Sequence, residues 1–217
     1  MLQHLPVERT ARLATHGNPA TARFAWMVLH GYGQLVPYSI RPFQSLPEED
    51  HFVVAPEGLS RFYLKGTSGR VGASWMTKED RLSEIEDQIA YLNRVKDWIT
   101  PQLKQVNVTW IGLGFSQGVA TLNRWLAKGQ WAPHHIVNWA GSPPWDIAYD
   151  QPHLQQAKWW YRLGKEDPYI PVEVVEAWQQ KWKAAGLHVQ TDYFEGPHTL
   201  PSQKLVELVQ AIQRVAK

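Results

Sequence analysis

The chain has 217 residues, of which 44% are hydrophobic and 19% charged, so it is long and apolar enough to bury a sizeable core. Its 22 lysines and arginines almost balance its 20 aspartates and glutamates, which excludes bulk attraction to nucleic acid or to an anionic membrane. The absence of cysteine excludes disulfides, thiolate metal sites and a catalytic thiol.

The amino-terminal segment contains no apolar stretch of the signal-peptide type, and the run FAWMVL at 24–29 is too short to cross a bilayer. We therefore expect no stable membrane insertion and a cytoplasmic location. The 12 tryptophans follow no constant spacing, which argues against a repeat array. Because no Pro/Gly/Ser-rich linker divides the chain, the sequence predicts a single domain over residues 1–217.

Six short apolar runs, each ending in glycine or turn residues, are predicted as β-strands. They are RFAWMVLHG (23–31), HFVVAPEG (51–58), NVTWIGLG (107–114), HIVNWAGS (135–142), KWWYRLGKED (158–167) and HVQTDYFEG (188–196). Runs that are apolar nearly throughout are typical of a parallel sheet covered on both faces. The residues before 23 are expected to add an antiparallel hairpin at one edge.

Segments of helical period separate these strands, and three of them carry apolar stripes with residues three or four apart. The stripes are Leu82, Ile85, Ile89, Leu92, Val95 and Ile99; Val175, Trp178 and Trp182; and Leu205, Leu208, Val209, Ile212 and Val215. Pro101 is predicted to end the first helix and Pro171 to begin the second. A further helix is expected over 116–129. Strands that alternate with such helices predict a doubly wound α/β fold with a mostly parallel sheet.

The segment GLGFSQGVA (112–120) places Ser116 between Gly114 and Gly118, where a predicted strand gives way to a predicted helix. In the G-x-S-x-G motif the serine occupies a strained turn that exposes its hydroxyl at the top of the sheet, and the glycines leave room for that turn. The motif alone arises often by chance, but here it has the strand and helix that its catalytic form requires. Ser116 is therefore the predicted nucleophile.

A serine hydroxyl needs a base to remove its proton, and the base needs an acid to orient it. In hydrolases built on such sheets these groups follow one another in the order serine, acid, histidine. His198, in FEGPHTLP, follows the last predicted strand and lies at the same sheet edge as Ser116. It is favoured as the base over the other histidines downstream of the serine, which are His134, His135, His153 and His188.

Asp167, in LGKEDPYIP, is the predicted acid because it follows one strand and precedes a helix. Its neighbour Glu166 and the earlier Asp146, in GSPPWD, are the alternatives. Asp-Pro is also a common turn signal, so Asp167 without the serine and histidine would indicate only a turn.

An oxyanion hole requires the backbone N–H of the residue after the nucleophile, here Gln117, and a second N–H from the loop after an early strand. LHGYGQ (29–34) fits that second place, and Tyr32 is its predicted donor. An ordinary tight turn is the alternative interpretation of this segment taken alone.

Taken together, these residues resemble the phospholipase/carboxylesterase family of α/β-hydrolases, which includes acyl-protein thioesterases and lysophospholipases. HGYGQ is similar to the family's His-Gly-x-Gly stretch, GFSQGVA to its Gly-Phe-Ser-Gln-Gly-Gly elbow, GKEDPYIP to its acid loop, GPHTLP to its histidine loop, and ASWM to its tryptophan segment beside the acyl site. The matches extend from about residue 24 to residue 210. Val119 departs from the family's second glycine after the serine, and Tyr32 stands where leucine is common.

The resemblance implies an α/β-hydrolase fold with the triad Ser116, Asp167 and His198 and with Tyr32 and Gln117 as oxyanion donors. The expected activity is that of a serine carboxylesterase which hydrolyses short- to medium-chain acyl esters or thioesters through an acyl-enzyme. The predicted core uses most of the chain, so a minimal lid or none is expected. The segment LSRFYLKGTSGRVGASWMTK (59–78) is predicted as a functional or mobile loop. Within it, Trp75 is a candidate substrate-binding residue, and core packing is the alternative role.

The expected partner is a small acyl ester or thioester, and neither a metal nor another cofactor is expected. Two other classes of function stay open: a non-catalytic binding protein with this fold, and a serine hydrolase that acts on small amides or peptides. The sequence leaves open whether the chain is a monomer or a homodimer.

Overall fold

The computed structural model of the chain describes residues 2–128 and 131–215. Its centre is a seven-stranded sheet in the order β1-β3-β2-β6-β7-β8-β9, with a separate two-stranded sheet of β4 and β5. The strands are β1 (Leu13–Gly17), β2 (Phe24–Leu29), β3 (His51–Pro56), β4 (Ser60–Tyr63), β5 (Val71–Ser74), β6 (Thr109–Phe115), β7 (His135–Trp139), β8 (Lys158–Gly164) and β9 (Val189–Phe194).

Within the described residues, six α-helices accompany the strands, with two 3-10 turns at Arg41–Ser45 and Thr100–Gln102. The helices are α1 (Val36–Ser39), α2 (Arg81–Ile99), α3 (Gln117–Ala127), α4 (Pro152–Gln155), α5 (Val172–Ala184) and α6 (Ser202–Val215). Pro171 directly precedes α5, as predicted, and α2 passes into a 3-10 turn that contains Pro101. Gly129, the last residue of the predicted helix 116–129, lies outside the described residues.

The six predicted strands are confirmed as β2, β3, β6, β7, β8 and β9, and each pairs in parallel with its neighbour among them. The predicted antiparallel strand at one edge of the sheet is present, but the predicted hairpin is wrong. β1 is an antiparallel edge strand, but it pairs with β3 and not with the adjacent β2. The chain therefore crosses β3 between its first two strands, so these do not form a hairpin.

Helices lie on both faces of the sheet, as the apolar strand composition predicts. Tyr161 of β8 packs against Trp182 of α5, with ring centroids 5.5 Å apart. The next residue, Arg162, interacts electrostatically with Glu207 of α6. Because consecutive side chains of a strand point to opposite faces, α5 and α6 cover opposite sides of the sheet.

Two residues of the predicted apolar stripes are not part of the core. Leu82 is 69% exposed and Val215 is 43% exposed, whereas the other stripe residues are buried. Both exceptions lie in a terminal turn of a helix, beyond the neighbouring elements that bury its middle. Periodicity predicts the buried face of a helix, but it does not show where the covering layer ends.

The segment 59–78, predicted as a functional or mobile loop, contains regular secondary structure. It contains the antiparallel hairpin of β4 and β5, in which Phe62 pairs with Gly72. The hairpin joins the loop after β2 through a hydrogen bond of 2.8 Å from Gly33 N–H to the Ala73 carbonyl. It therefore supports a neighbouring loop at the carboxyl edge of the main sheet.

Candidate active site

Ser116 lies between β6 and α3 in a backbone conformation that few side chains adopt. Its φ is 54° and its ψ is −117°, which is a sparsely populated and strained region for any residue except glycine. Two hydrogen bonds maintain this turn, from Ser116 N–H to the Trp139 carbonyl at 2.9 Å and from Val119 N–H to the Ser116 carbonyl at 3.0 Å. The strand, sharp turn and helix predicted around the serine are all present.

The paired glycines of the motif are required by the close approach of other backbone atoms. A Cβ on Gly114 would lie 2.5 Å from the Gly118 carbonyl oxygen, and a Cβ on Gly118 would lie 2.1 Å from the Leu29 carbonyl oxygen. Both distances are far below van der Waals contact. The glycines therefore let α3 begin directly against the ends of β6 and β2, and Ser116 is left at the top of that junction.

His198 and Asp167 are joined by a short hydrogen bond. His198 Nδ1 lies 2.6 Å from Asp167 Oδ2, and the Asp167 side chain is only 1% exposed. Because an ionised carboxylate only accepts, this bond places a proton on Nδ1 and leaves Nε2 as the nitrogen able to accept another. Sequence order alone selected these two residues, and the structure brings them together.

The loops that carry the pair are fastened to each other by backbone hydrogen bonds. Lys165 N–H donates to the Phe194 carbonyl at 2.9 Å, and Glu166 N–H donates to the Gly196 carbonyl at 3.1 Å. The second carboxylate oxygen of Asp167 accepts from Tyr169 N–H at 2.8 Å. Asp167 thus also makes the local turn that Asp-Pro signals, and one residue combines the two roles.

Aromatic rings hold the imidazole of His198 beside the serine. Its ring centroid lies 5.1 Å from that of Phe115, the residue directly before Ser116, and 4.8 Å from that of Tyr169. Within residues 2–128 and 131–215, no hydrogen bond joins Ser116 Oγ to His198. Such bonds are often long or poorly aligned until a substrate is bound. Phe115 and Tyr169 were not selected from the sequence, although their positions next to Ser116 and Asp167 were a usable signal.

Three backbone N–H groups of the loop after β2 donate hydrogen bonds. Gly31 N–H donates to the Gln34 side chain at 2.9 Å, Gly33 N–H to Ala73, and Gln34 N–H to the Gly31 carbonyl at 3.2 Å. Across the described part of the chain, Tyr32 N–H has no acceptor. A Cβ placed on Gly31 would lie 3.1 Å from Ser116 Cβ, so this loop packs directly on the elbow.

Gln117 offers a second such group, because it is the first residue of α3 and the first N–H groups of a helix have no acceptor within it. The positive end of the helix dipole strengthens this donor. Its side chain has a role that the sequence did not reveal: Oε1 accepts from Trp75 N–H at 3.1 Å, and Nε2 donates to the Met76 carbonyl at 2.8 Å.

The loop carrying Tyr32 is supported from below by His30 and Trp75. His30 Nδ1 bonds the Gly31 carbonyl at 2.7 Å, and its Nε2 accepts from Gly58 N–H at 2.9 Å. Burial lowers the pKa of His30, so the imidazole stays neutral at neutral pH. Trp75 is 3% exposed, and its ring N–H donates to the His30 carbonyl at 2.8 Å. The structure thus places Trp75 as a support of the loop, and substrate contact by it stays a prediction.

The alternative acids have environments that differ from that of Asp167. Asp146 forms ion pairs with Arg81 and, at 3.2 Å, with Arg124. Burial alone would raise its pKa, but hydrogen bonds from Arg81 and the charge of Arg124 bring the pKa of Asp146 below its ordinary value. Glu166 is exposed.

The other downstream histidines also have different environments. His134 Nδ1 accepts from Trp110 N–H, and His153 Nε2 bonds the Leu126 carbonyl, both at 2.9 Å. His135 is buried with its Nδ1 accepting from Trp160, and His188 is exposed. His198 alone of the five is paired with a buried carboxylate.

Candidate metal ligands are not clustered in the part of the chain that the structure describes. Among residues 2–128 and 131–215, no cluster of three or more His, Cys, Asp or Glu side chains is arranged to hold a metal ion. In the same part of the chain, every helix is too short or too polar to cross a membrane.

Scans against protein-family models and against curated proteins return no match. Solved structures do match. Acyl-protein thioesterase 2 from Zea mays has a TM-score of 0.70 and 19% identity, over 94% of this chain and 99% of that one. Esterase PE8 has a TM-score of 0.66 and 21% identity over 95% and 99% of the two chains. A phospholipase/carboxylesterase from Dyadobacter fermentans has a TM-score of 0.64 and 18% identity over 93% and 96%. These likenesses show that the chain has the α/β-hydrolase fold.

Proposed function

We propose that the chain is a serine carboxylesterase that hydrolyses short- to medium-chain acyl esters or thioesters through an acyl-enzyme. The observation that carries this proposal is the 2.6 Å bond between His198 and the buried Asp167, at the sheet edge where the strained turn presents Ser116. A buried carboxylate that orients an imidazole beside a serine is the arrangement that serine hydrolysis requires.

In the first step, His198 Nε2 accepts the Ser116 proton while Ser116 Oγ attacks the carbonyl carbon of the substrate. Negative charge then develops on the carbonyl oxygen, where the N–H groups of Tyr32 and Gln117 stabilise it. Asp167 stabilises the imidazolium that forms. The carbonyl re-forms as the bond to the leaving oxygen or sulfur breaks, and His198 returns the proton to that atom.

In the second step, His198 takes a proton from water as the water oxygen attacks the acyl-enzyme carbonyl. The bond to Ser116 Oγ breaks, the proton returns to that oxygen, and the carboxylic acid leaves. Both steps use the same oxyanion donors, and neither consumes a further reactant.

The structural neighbours agree with this chemistry as far as their names go, since they are an acyl-protein thioesterase, an esterase and a phospholipase/carboxylesterase. At such low identity, the likeness to these structures shows the fold of the chain and not its substrate. The proposal for this chain therefore depends on its own residues.

The test compares wild type, Ser116→Ala and the control Ser202→Ala on p-nitrophenyl esters from acetate to palmitate, with acyl thioesters and small amides as parallel series. Ser202 is an exposed serine at the start of α6, so its loss leaves the site unchanged. We expect turnover of esters or thioesters by wild type and Ser202→Ala, with a loss of about 10⁶-fold in kcat for Ser116→Ala.

Three results would contradict the proposal. Activity that persists in Ser116→Ala would exclude this nucleophile, and faster hydrolysis of amides than of esters would indicate a peptidase-like enzyme. Turnover of no ester, thioester or amide by wild type would favour a non-catalytic binding protein.

A further inference from the structure

A cavity of about 180 Å³ opens beside His198 on the flank formed by α1, the following 3-10 turn and the histidine loop. We call it the His198 cavity. Its walls include the apolar side chains of Val28, Phe43, Phe115 and Leu200, together with Ser39 and His198 itself. Phe43 is fully buried and Val28 is 2% exposed, so this part of the wall belongs to the core.

The chemistry of ester cleavage divides the space around Ser116 into three directions. The carbonyl oxygen must face the N–H groups of Tyr32 and Gln117, since charge develops there. The leaving atom must come within hydrogen-bond reach of His198 Nε2, which returns the proton to it. The acyl chain takes the remaining direction. His198 lines the cavity whereas Ser116, Tyr32 and Gln117 do not, which favours the leaving-group side for it.

The volume of this cavity indicates the size of the group that it can enclose. A dry protein cavity of roughly 150 Å³ is sufficient for benzene. The His198 cavity is slightly larger, and its lining combines apolar with uncharged polar side chains and includes no aspartate, glutamate, lysine or arginine among the described residues, which favours an uncharged group over a charged one. A phosphate-bearing or otherwise charged headgroup would find no fixed counter-charge on the wall residues named above.

Ser39 is one of the polar residues of the wall, together with His30, Gln34, Tyr38, His198 and Thr199. Its Oγ is buried and, among the residues that the structure describes, has no hydrogen-bond partner. The side chain lies on α1, outside the catalytic groups, so it can be changed without touching them. An enlarged side chain at this position projects into the volume that the occupant needs.

We propose that the His198 cavity is the leaving-group subsite of this enzyme and that it selects esters of compact, uncharged alcohols or thiols up to about the size of a benzyl group. This inference rests on the proposed esterase function and adds the substrate class on the leaving side. The acyl chain lies outside the cavity, so different parts of the protein determine the selectivity for acyl length and for alcohol size.

The test uses two ester series with wild type, Ser39→Leu and Ser39→Ala. One series keeps a butyryl group and varies the alcohol through methyl, propyl, benzyl and diphenylmethyl; the other keeps the methyl alcohol and varies the acyl chain. Gln44→Leu is the matched control, because Gln44 is an exposed residue of the adjacent 3-10 turn and does not line the cavity.

For wild type and Gln44→Leu, we expect kcat/KM to rise from methyl to benzyl and to fall for diphenylmethyl. Ser39→Leu should lose about tenfold or more on the benzyl ester while methyl esters of every acyl length are affected little. Ser39→Ala, which keeps the cavity open, should retain the benzyl preference. That variant separates loss of volume from loss of the hydroxyl.

A second measurement on wild type does not depend on the folding of a variant. An alcohol that occupies the leaving-group subsite can attack the acyl-enzyme in place of water, with His198 taking its proton and passing it to Ser116 as the acyl–serine bond breaks. We expect benzyl alcohol to form its butyryl ester from p-nitrophenyl butyrate more efficiently than diphenylmethanol does.

The outcomes separate the two proposals. If wild type hydrolyses esters but Ser39→Leu changes the acyl-length profile and not the alcohol profile, the leaving-group assignment is overturned and the esterase function stands. An equal effect of Gln44→Leu, or equal acyl transfer to both alcohols, also overturns it. If wild type hydrolyses no ester or thioester, the esterase function fails and the subsite fails with it.

Discussion

Asp167 uses its two carboxylate oxygens for different purposes. Oδ2 holds the imidazole of His198, while Oδ1 accepts from the backbone N–H of Tyr169 and closes the turn in which the aspartate itself lies. The second bond prevents the carboxylate from rotating away from the first. The orientation of the imidazole is therefore set by the backbone of the acid loop as well as by the carboxylate charge.

Asp167→Asn tests this arrangement. The asparagine amide keeps the shape but has only one oxygen, which is needed by Tyr169 N–H, so its NH2 group faces Nδ1 of His198 and donates to it. We therefore expect the imidazole to carry its proton on Nε2, which is then unable to accept the Ser116 proton. The kcat for esters should fall by about 10³–10⁴-fold with little change in the midpoint of thermal unfolding.

Asp146→Asn is the control for this change, because it removes the same charge from the exposed pairs with Arg81 and Arg124. Exposed ion pairs contribute little, so esterase activity should be largely retained. A similar loss of kcat in both variants would show that Asp167 acts through general electrostatics and not by orienting His198.

At the scale of elements, the loop that carries Tyr32 is held by groups from several strands. Glu57, directly after β3, is 1% exposed and accepts from Arg12 at 2.8 and 2.9 Å, from Arg61 at 3.1 Å, and from Val36 N–H at 3.1 Å. It therefore connects the segment before β1, the hairpin and the start of α1. The adjacent Gly58 N–H bonds His30, which extends the connection to the loop.

Glu57→Gln should weaken these connections together. Removing the charge of a buried acceptor that faces two guanidinium groups is expected to lower the free energy of unfolding by about 1–3 kcal/mol. It should also reduce kcat, since the oxyanion loop is held less firmly. Urea unfolding and ester hydrolysis measure the two effects.

Asp50→Asn provides the comparison, because Asp50 accepts two 2.8 Å bonds from Arg23 at the surface. Exposed pairs of this kind contribute up to about 1 kcal/mol. If Glu57→Gln were no more destabilising than Asp50→Asn, burial would not explain the role assigned to Glu57.

At the scale of the whole molecule, two buried Trp–His pairs occupy equivalent places in the sheet. Trp26 of β2 donates its ring N–H to His51 Nδ1, and Trp160 of β8 donates to His135 Nδ1 of β7, each at 3.1 Å. His51 and His135 each begin a strand, at the edge away from the active site. Burial lowers the pKa of both imidazoles to about 4.

These pairs predict a stability that falls with acid. The unfolded chain binds protons on these histidines near their ordinary pKa of about 6.5, before the folded chain does, so stability is lost as the pH falls from there towards about 4. We expect each imidazole to lower the free energy of unfolding by about 1–2 kcal/mol at pH 5 relative to pH 8. Urea unfolding at several pH values measures this effect.

His51→Gln combined with His135→Gln should flatten this dependence, while His188→Gln, at an exposed position, should leave it unchanged. If the free energy of unfolding falls with pH equally in the double variant and in wild type, other groups are responsible for the acid sensitivity.

Much of this protein follows from local pattern. Six strands and the apolar faces of three long helices can be predicted from the sequence, because short continuous apolar runs and the helical spacing of apolar residues reflect burial directly. The elbow around Ser116 is readable because a strained turn between strand and helix requires small neighbours at fixed positions. Chain order then selected Asp167 and His198, because loops that follow parallel strands meet at one edge of the sheet.

What the sequence could not determine depends on contacts between distant segments. Three examples are the pairing of β1 with β3, the hairpin inside 59–78 and the exposure of Leu82. Each depends on which other segment of the chain packs beside these residues.

The same holds within the site. The unengaged N–H of Tyr32, the buried support from Trp75 and the cavity beside His198 exist only when several loops are assembled. By itself, the sequence determined the order of the elements and the chemical types at the site. Tertiary structure decided which donors stay free and what space surrounds them, because hydrogen-bond satisfaction and cavity shape are properties of packing between segments and leave no periodic signal in the chain.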